Sequence, residues 1–201
     1  MSEANAERDP IAWVAEILEA AEAAEGGHPE RDPMRVALAT ADAEGRPSVR
    51  YVLLKGFGPE GFVFYTNYGS AKAAELDANP HAALALHWWS TGVQVRTRGS
   101  VERLSDAESD AYFASRSRGS QLGAWASDQS QPLESRAVLE AQLAEVERRF
   151  EGSDVPRPPS WGGYRLRPSQ IEIWVNGAHR LHDRFEFQRS ESGWAGRRLS
   201  P

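Results

Sequence analysis

The sequence predicts a mainly β protein of the α+β class, a β-barrel with helices packed outside it. Three observations carry this. Short runs rich in β-branched and aromatic residues recur along the chain with turn residues between them. The few segments with helical spacing do not alternate with strands, as a doubly wound sheet would require. No G-x-G-x-x-G motif is present, so the dinucleotide fingerprint is missing.

The elements follow in order. Residues 1–9 are polar and acidic and read as a tail. Asp9-Pro10 starts a helix, with Asp as cap and Pro in the first turn, and Trp13, Ile17, Leu18 and Ala21 recur at helical spacing before Gly26-Gly27 ends it. Residues 1–34 thus form a tail and helix ahead of a single globular domain, 35–201. Strands are predicted at 36–40, 48–55 and 62–66, the first two joined by the turn at Asp42. Ser70 caps a short helix over 71–78 that stops at Asn79-Pro80. Two more strands lie at 82–88 and 93–104. Ser105 and Glu108 make a capping box for a helix over 106–116. A Gly/Ser/Gln-rich loop follows at 117–131, then a long helix from Pro132 to Phe150, then β pieces to the end.

Composition narrows the function. With 201 residues, a net charge of -6 and 40% apolar residues, the chain fits one ordinary domain. So acidic a chain lacks the broad basic surface of a nucleic-acid binder, although a small phosphate needs only a local group of donors. No apolar run is long enough for a membrane helix, and the N-terminus does not resemble a signal peptide. Cysteine is absent, which excludes disulfides, thiol catalysis and thiolate metal sites. A cytoplasmic location is the default expectation. The five histidines show no metal-ligand spacing, so no metal is expected.

Several constellations invite a phosphate or a flat ring. Arg180, His182 and Arg184 would share one face if their segment is extended; an anion site and a solvated edge strand are both open readings. Tyr112 and Arg116 are four apart on a predicted helix, with Ser120 just beyond, a set suited to a phosphate monoester. Arg50 and Lys55 fall on opposite faces of a strict strand and serve one ligand only if a bulge intervenes. Tyr65-Thr66 ends a strand, and Ser70 and Lys72 stand where helix N–H groups are free, a natural phosphate cradle. Gln94, Gln129 and Ser130 offer polar groups for a ring edge, while Trp174 reads equally as core or as cofactor wall.

Together these segments resemble the pyridoxamine 5'-phosphate oxidase family over roughly 35–201. The resemblance rests on SVRYVLLKGF, GFVFYTNYGSAK, ELDANPHAAL, QVRTRG, YFASRSRGSQLGAWASDQS, VPRPPSWGGYRL, IEIWVNGAHRLHDRFEFQR and the ending RRLSP, in the family's order and spacing. It implies the split β-barrel of FMN-binding proteins and a homodimer with FMN at its interface. It further implies that Arg50, Val52, Leu53, Lys55, Tyr65, Thr66, Lys72, Gln94, Gln129, Ser130, Trp174 and Arg184 contact FMN. The substrate phosphate would meet Lys55, Tyr112, Arg116 and Ser120, with Arg180 and His182 as catalytic residues against the pyridine ring. The implied reaction oxidises pyridoxamine or pyridoxine 5'-phosphate to pyridoxal 5'-phosphate by hydride transfer to the flavin, with oxygen as acceptor and hydrogen peroxide as product. His182 is the expected proton acceptor. The chain departs from the family pattern at Ala71, where an arginine usually helps hold the FMN phosphate. A split-barrel flavin or deazaflavin oxidoreductase with another substrate, such as a phenazine precursor, is the alternative; a non-catalytic FMN or pyridoxal phosphate binder is a third.

Overall fold

A computed structural model describes residues 3–25 and 32–201. A 3-10 turn, Glu3–Glu7, precedes α1 (Pro10–Glu25). Then come β1 (Arg35–Ala41), β2 (Pro47–Gly58), β3 (Gly61–Asn67), α2 (Ala71–Ala78), β4 (His81–Trp88) and β5 (Val93–Arg103). Three helices follow, α3 (Asp106–Ser115), α4 (Arg118–Ala126) and α5 (Arg136–Arg149), and the chain ends in β6 (Trp161–Val175), β7 (Asp183–Ser190) and β8 (Gly193–Leu199).

The strands are antiparallel and ordered β3-β2-β1-β4-β5-β6-β7-β8, and β3 also pairs with β6. That last pairing closes β1 to β6 into a barrel, leaving β7 and β8 as an extension. The length of β6 makes both roles possible. Residues 161–166 lie against β3, while 170–175 lie against β7. A bulge in β6 at Ser169, opposite Arg98 and Gly99 of β5, accommodates the change of direction.

Period-two patterning fills the barrel. Leu38, Leu54, Phe62, Phe64, Leu84, Leu86, Val95, Leu166, Ile171 and Ile173 are buried inside it, each contributing about 1.5–3 kcal/mol by leaving water. The helix α1 starts as its sequence predicts, with the Asp9 carboxylate accepting from the N–H groups of Ile11 (2.8 Å) and Ala12 (2.9 Å). Its Trp13, Val14, Ile17 and Ala21 join the same core, and Trp13 packs on Phe185 and Phe187. The predicted helix stop at Gly26-Gly27 lies outside the described residues.

Four local expectations differ from the structure. The tail at 1–9 holds a 3-10 turn whose Ala6 packs against the core. Where a loop is expected at 117–131, α4 forms, because Ser117 accepts from the Ser120 N–H and Leu122 and Ala126 find a buried seat. The helix over 106–116 stops at Ser115, and Arg116 is its extended C-cap. The last helix begins at Arg136 rather than Pro132, with Ser135 as its cap. A second small core of Phe113, Leu122, Phe150, Val155 and Trp161 ties α3, α4 and the end of α5 to the barrel mouth.

Candidate active site

The barrel is split on one side. β2 pairs with β3 only from Leu54 to Gly58. Before Leu54, β2 follows β1; beyond Phe64, β3 follows β6 through Asn67. Residues 50–53 and 65–67 therefore face each other across an unpaired gap. The Leu54 N–H donates to the Met34 carbonyl on the β1 side. Strand alternation then sends the backbone N–H and C=O of Tyr51 and Leu53 into the gap. A cavity of about 630 Å³ occupies this opening, roofed by α3 and α4.

The cavity brings together eleven predicted residues: Arg50, Val52, Leu53, Lys55, Tyr65, Thr66, Lys72, Gln129, Tyr112, Arg116 and Ser120. The bulge needed for Arg50 and Lys55 to serve one site is present, since the register shifts between Leu54 and Gly56. At the floor, the buried Lys72 Nζ donates to Thr66 Oγ1 (3.0 Å) and Gln129 Oε1 (3.1 Å). Burial, aided by the Arg50 charge, holds its pKa below the usual lysine value. Ser70 is fully buried at the N-cap of α2, yet its hydroxyl caps no helix N–H. Arg50 is engaged elsewhere, donating to Glu75 (2.9 Å) and Thr40.

At the other end stands an aromatic stack. Tyr65 lies on Tyr112 with ring centroids 4.0 Å apart, and on Trp161 at 5.3 Å with ring planes 8° apart. Glycine makes the stack possible: a Cβ on Gly163 would lie 2.8 Å from Tyr65 Cε1. Arg116 sits over Trp161, its Nη1 buried with no hydrogen-bond partner. Burial lowers the Arg116 pKa and raises that of Tyr112.

The other predicted residues lie apart from this cavity within one chain. Gln94, Trp174 and Arg184 are consecutive cross-strand partners on β5, β6 and β7. Neighbours Val95, Ile173 and Phe185 point inward, so this row points outward. Glu172 is buried and accepts from Arg184 Nε (2.9 Å) and from Arg96. The expected shared strand face of Arg180, His182 and Arg184 does not form. His179 and Arg180 take left-handed φ values of 56° and 64°, so the chain turns there and β7 begins only at Asp183. His182 stacks on Trp174 at 4.4 Å, and its Nδ1 accepts from the Gly177 N–H (3.2 Å). A neutral ring held this way carries its proton on Nε2. Ser130 also has a left-handed φ, 71°, in the turn after Gln129.

Sequence reasoning passed over Tyr51, Asn67 and Trp161 in the cavity wall, and Glu75 and Glu172, which orient Arg50 and Arg184. The W-G-G triplet at 161–163 was the available signal for Trp161.

The sequence model of the pyridoxamine 5'-phosphate oxidase family matches residues 30–150. The chain belongs to this family. Residues 161–201 match the pyridoxine 5'-phosphate oxidase C-terminal dimerisation region. Similar proteins include pyridoxine/pyridoxamine 5'-phosphate oxidases of Rubrobacter xylanophilus, 55% identical over all of this chain and 91% of that one, and of Sphingopyxis alaskensis, 54% identical over 96% and 88%. Among solved structures, PhzG from Burkholderia lata in complex with tetrahydrophenazine-1-carboxylic acid is 34% identical, with a TM-score of 0.89 over 96% of this chain and 93% of that one. The fold is thus the split barrel of the family.

Proposed function

We propose that this chain is an FMN-dependent oxidase that converts pyridoxamine or pyridoxine 5'-phosphate to pyridoxal 5'-phosphate, with oxygen as acceptor and hydrogen peroxide as product. One observation carries it: of the four cations that line a single cavity, Lys72 and Arg116 are the ones drawn down in pKa by burial, and neither forms an ion pair among the described residues. Buried cations without carboxylates are costly unless an anion neutralises them. Two such groups at opposite ends of one cleft fit two phosphates, one on the cofactor and one on the substrate.

The residues fit FMN on chemical grounds. Lys72, Thr66 and the Ser70 hydroxyl, which makes a long bond to Thr66 Oγ1 (3.5 Å) and caps no N–H at the start of α2, form a cradle for its phosphate. The inward-facing backbone of Tyr51 and Leu53 gives the ring edge donors and acceptors. Bound there, FMN would supply the two-electron chemistry and hand the electrons to oxygen. The protein's part is to bind and orient. Lys55, Tyr112, Arg116 and Ser120 take the substrate phosphate. Arg180 and His182 close over the pyridine ring, and the Gly177 bond favours His182 as a hydrogen-bond donor through Nε2 over the proton-accepting role expected from sequence.

Arg180, His182, Gln94, Trp174, Ser130 and Arg184 complete the site only from a second copy or by closure. We infer a homodimer. Val49 and Tyr51 on β2 are 72% and 73% exposed. Beside them lie Ala37, Ala39, Ala83 and Ala85, and then the charged rung of Arg96 and Glu172. So apolar an outer wall fits an isologous contact, which would carry the β5–β7 row of one copy toward the cleft of the other. Purified protein is expected to be yellow and to form pyridoxal 5'-phosphate and peroxide from either substrate. A colourless protein that takes up no FMN contradicts the proposal. A yellow protein inactive on both substrates favours the phenazine-type alternative.

A further inference from the structure

An arginine that awaits a phosphate must be held in place without being neutralised. A carboxylate would fix it, but would occupy the N–H edge and cancel the charge. At Arg116 no ion pair performs this task. Its backbone N–H donates to the Phe113 carbonyl (3.2 Å) as the C-cap of α3. Its guanidinium carbon lies 4.7 Å from the centroid of the Trp161 ring and 5.5 Å from that of Phe113. An aromatic face attracts a guanidinium through the ring quadrupole and leaves the in-plane N–H donors free. The buried Nη1 is such a donor without a partner, and Arg116 is a residue of the cavity wall.

Trp161 is itself fixed from three sides. Its ring stacks on Tyr65 and meets Phe113 edge-on at 5.1 Å. Its carbonyl accepts from Arg157 Nη1 (2.7 Å), and Arg157 is anchored to Asp106 and Asp110, each at 2.6 Å. The indole is 6% exposed. A rigid ring beneath a guanidinium sets the direction of the guanidinium edge.

We propose that Trp161 is a positioning residue for the substrate phosphate, acting through Arg116. It thereby sets the preference of the site for phosphorylated over unphosphorylated B6 compounds. This inference rests on the reading of Arg116 as a phosphate ligand given above.

The test uses the FMN-loaded protein and two probes that lack a reactive 4' substituent, 4-deoxypyridoxine 5'-phosphate and 4-deoxypyridoxine. Calorimetry gives their affinity ratio. Trp161→Leu is expected to reduce this ratio by roughly tenfold, as for loss of a desolvated cation–π contact. Trp161→Phe, which keeps an aromatic face, is expected to stay within about threefold of wild type. Trp161→Met, nearer in bulk, gives the same reading as Trp161→Leu should the latter not fold. With Arg116→Ala in the background, Trp161→Leu is expected to change the ratio by less than about twofold, because coupled residues do not add. The inference is overturned if Trp161→Leu and Trp161→Met keep the wild-type ratio, if Trp161→Phe is as damaging as they are, or if the losses at 116 and 161 multiply. A wild-type protein that does not distinguish the probes overturns both this inference and the phosphate reading beneath it. Discrimination retained in the Trp161 variants overturns this inference alone.

Discussion

On the proposed reading, the Lys72 ammonium holds the FMN phosphate at a position where the family resemblance leads one to expect an arginine as well. The neighbouring position is Ala71, exposed in the first turn of α2. Lys72→Met is therefore expected to weaken FMN binding by about 1.5–3 kcal/mol, the size of one charge-assisted hydrogen bond. Ala71→Arg is expected to tighten it, and fluorescence titration of the apoprotein reads both. Unchanged affinity in Lys72→Met would mean the phosphate lies elsewhere. Glu172 permits a prediction about pH. Burial pushes its carboxyl pKa up, but the bonds from Arg184 and Arg96 outweigh this and hold it below 4.5. With a folded pKa below the unfolded one, its stabilisation is complete above 4.5 and is lost as pH falls through the folded value. Glu172→Gln is expected to lower stability at neutral pH by about 1–2 kcal/mol, because the arginines it releases are partly exposed. The difference from wild type should shrink on acidification below 4.5; a gap in Tm that persists in acid would contradict the pairing. Lys72 and Arg116 were legible in the sequence because their neighbours on the chain share their chemistry. Glu75 and Glu172 were not, because each meets its arginine across an element boundary, Arg50 on β2 and Arg184 on β7.

Among the elements, the site depends on how β3 and β6 pair at the split. Tyr65 is opposite Gly163, and Thr66 is opposite Gly162. Gly163→Ala would press its methyl 2.5 Å from Leu104 Cδ1 and 2.8 Å from Tyr65. A loss of about 1–3 kcal/mol in stability is expected from such overpacking, with weaker flavin uptake as Tyr65 shifts. Thermal melts with and without FMN check this, and a variant as stable as wild type would show that the stack can yield. Strands and their turns were readable because period two and turn chemistry are local. Helix α4 was not. Gly119, Ser120 and Gly123 have poor helix propensity, and burial of Leu122 in the second core and of Ala126 beside it overrides this. The segment 180–184 was misread because nothing in its composition announces two left-handed residues in series, His179 and Arg180.

The whole molecule poses the largest question, since one chain brings together only part of the predicted site. The run of short strands pointed to a barrel, and the family resemblance to a split one, but its closure through β3 and β6 joins segments about a hundred residues apart and could not be read from local pattern. The outer wall at Val49 and Tyr51 predicts the assembly. Val49→Asp is expected to yield a monomer by size-exclusion chromatography with light scattering, and that monomer should fail to retain flavin. A Val49→Asp dimer that keeps its yellow colour would place the interface elsewhere. Mixed dimers give the most direct test of the central claim. A variant with its cleft disabled, Arg116→Ala, is mixed with one whose outer loop is disabled, Arg180→Ala with His182→Ala, and subunits are exchanged. If each site draws the cleft from one copy and the loop from the other, two inactive proteins together recover roughly a quarter of wild-type activity, since half the dimers are mixed and each carries one intact site. A mixture no more active than its parts would contradict a site shared between two copies of this chain.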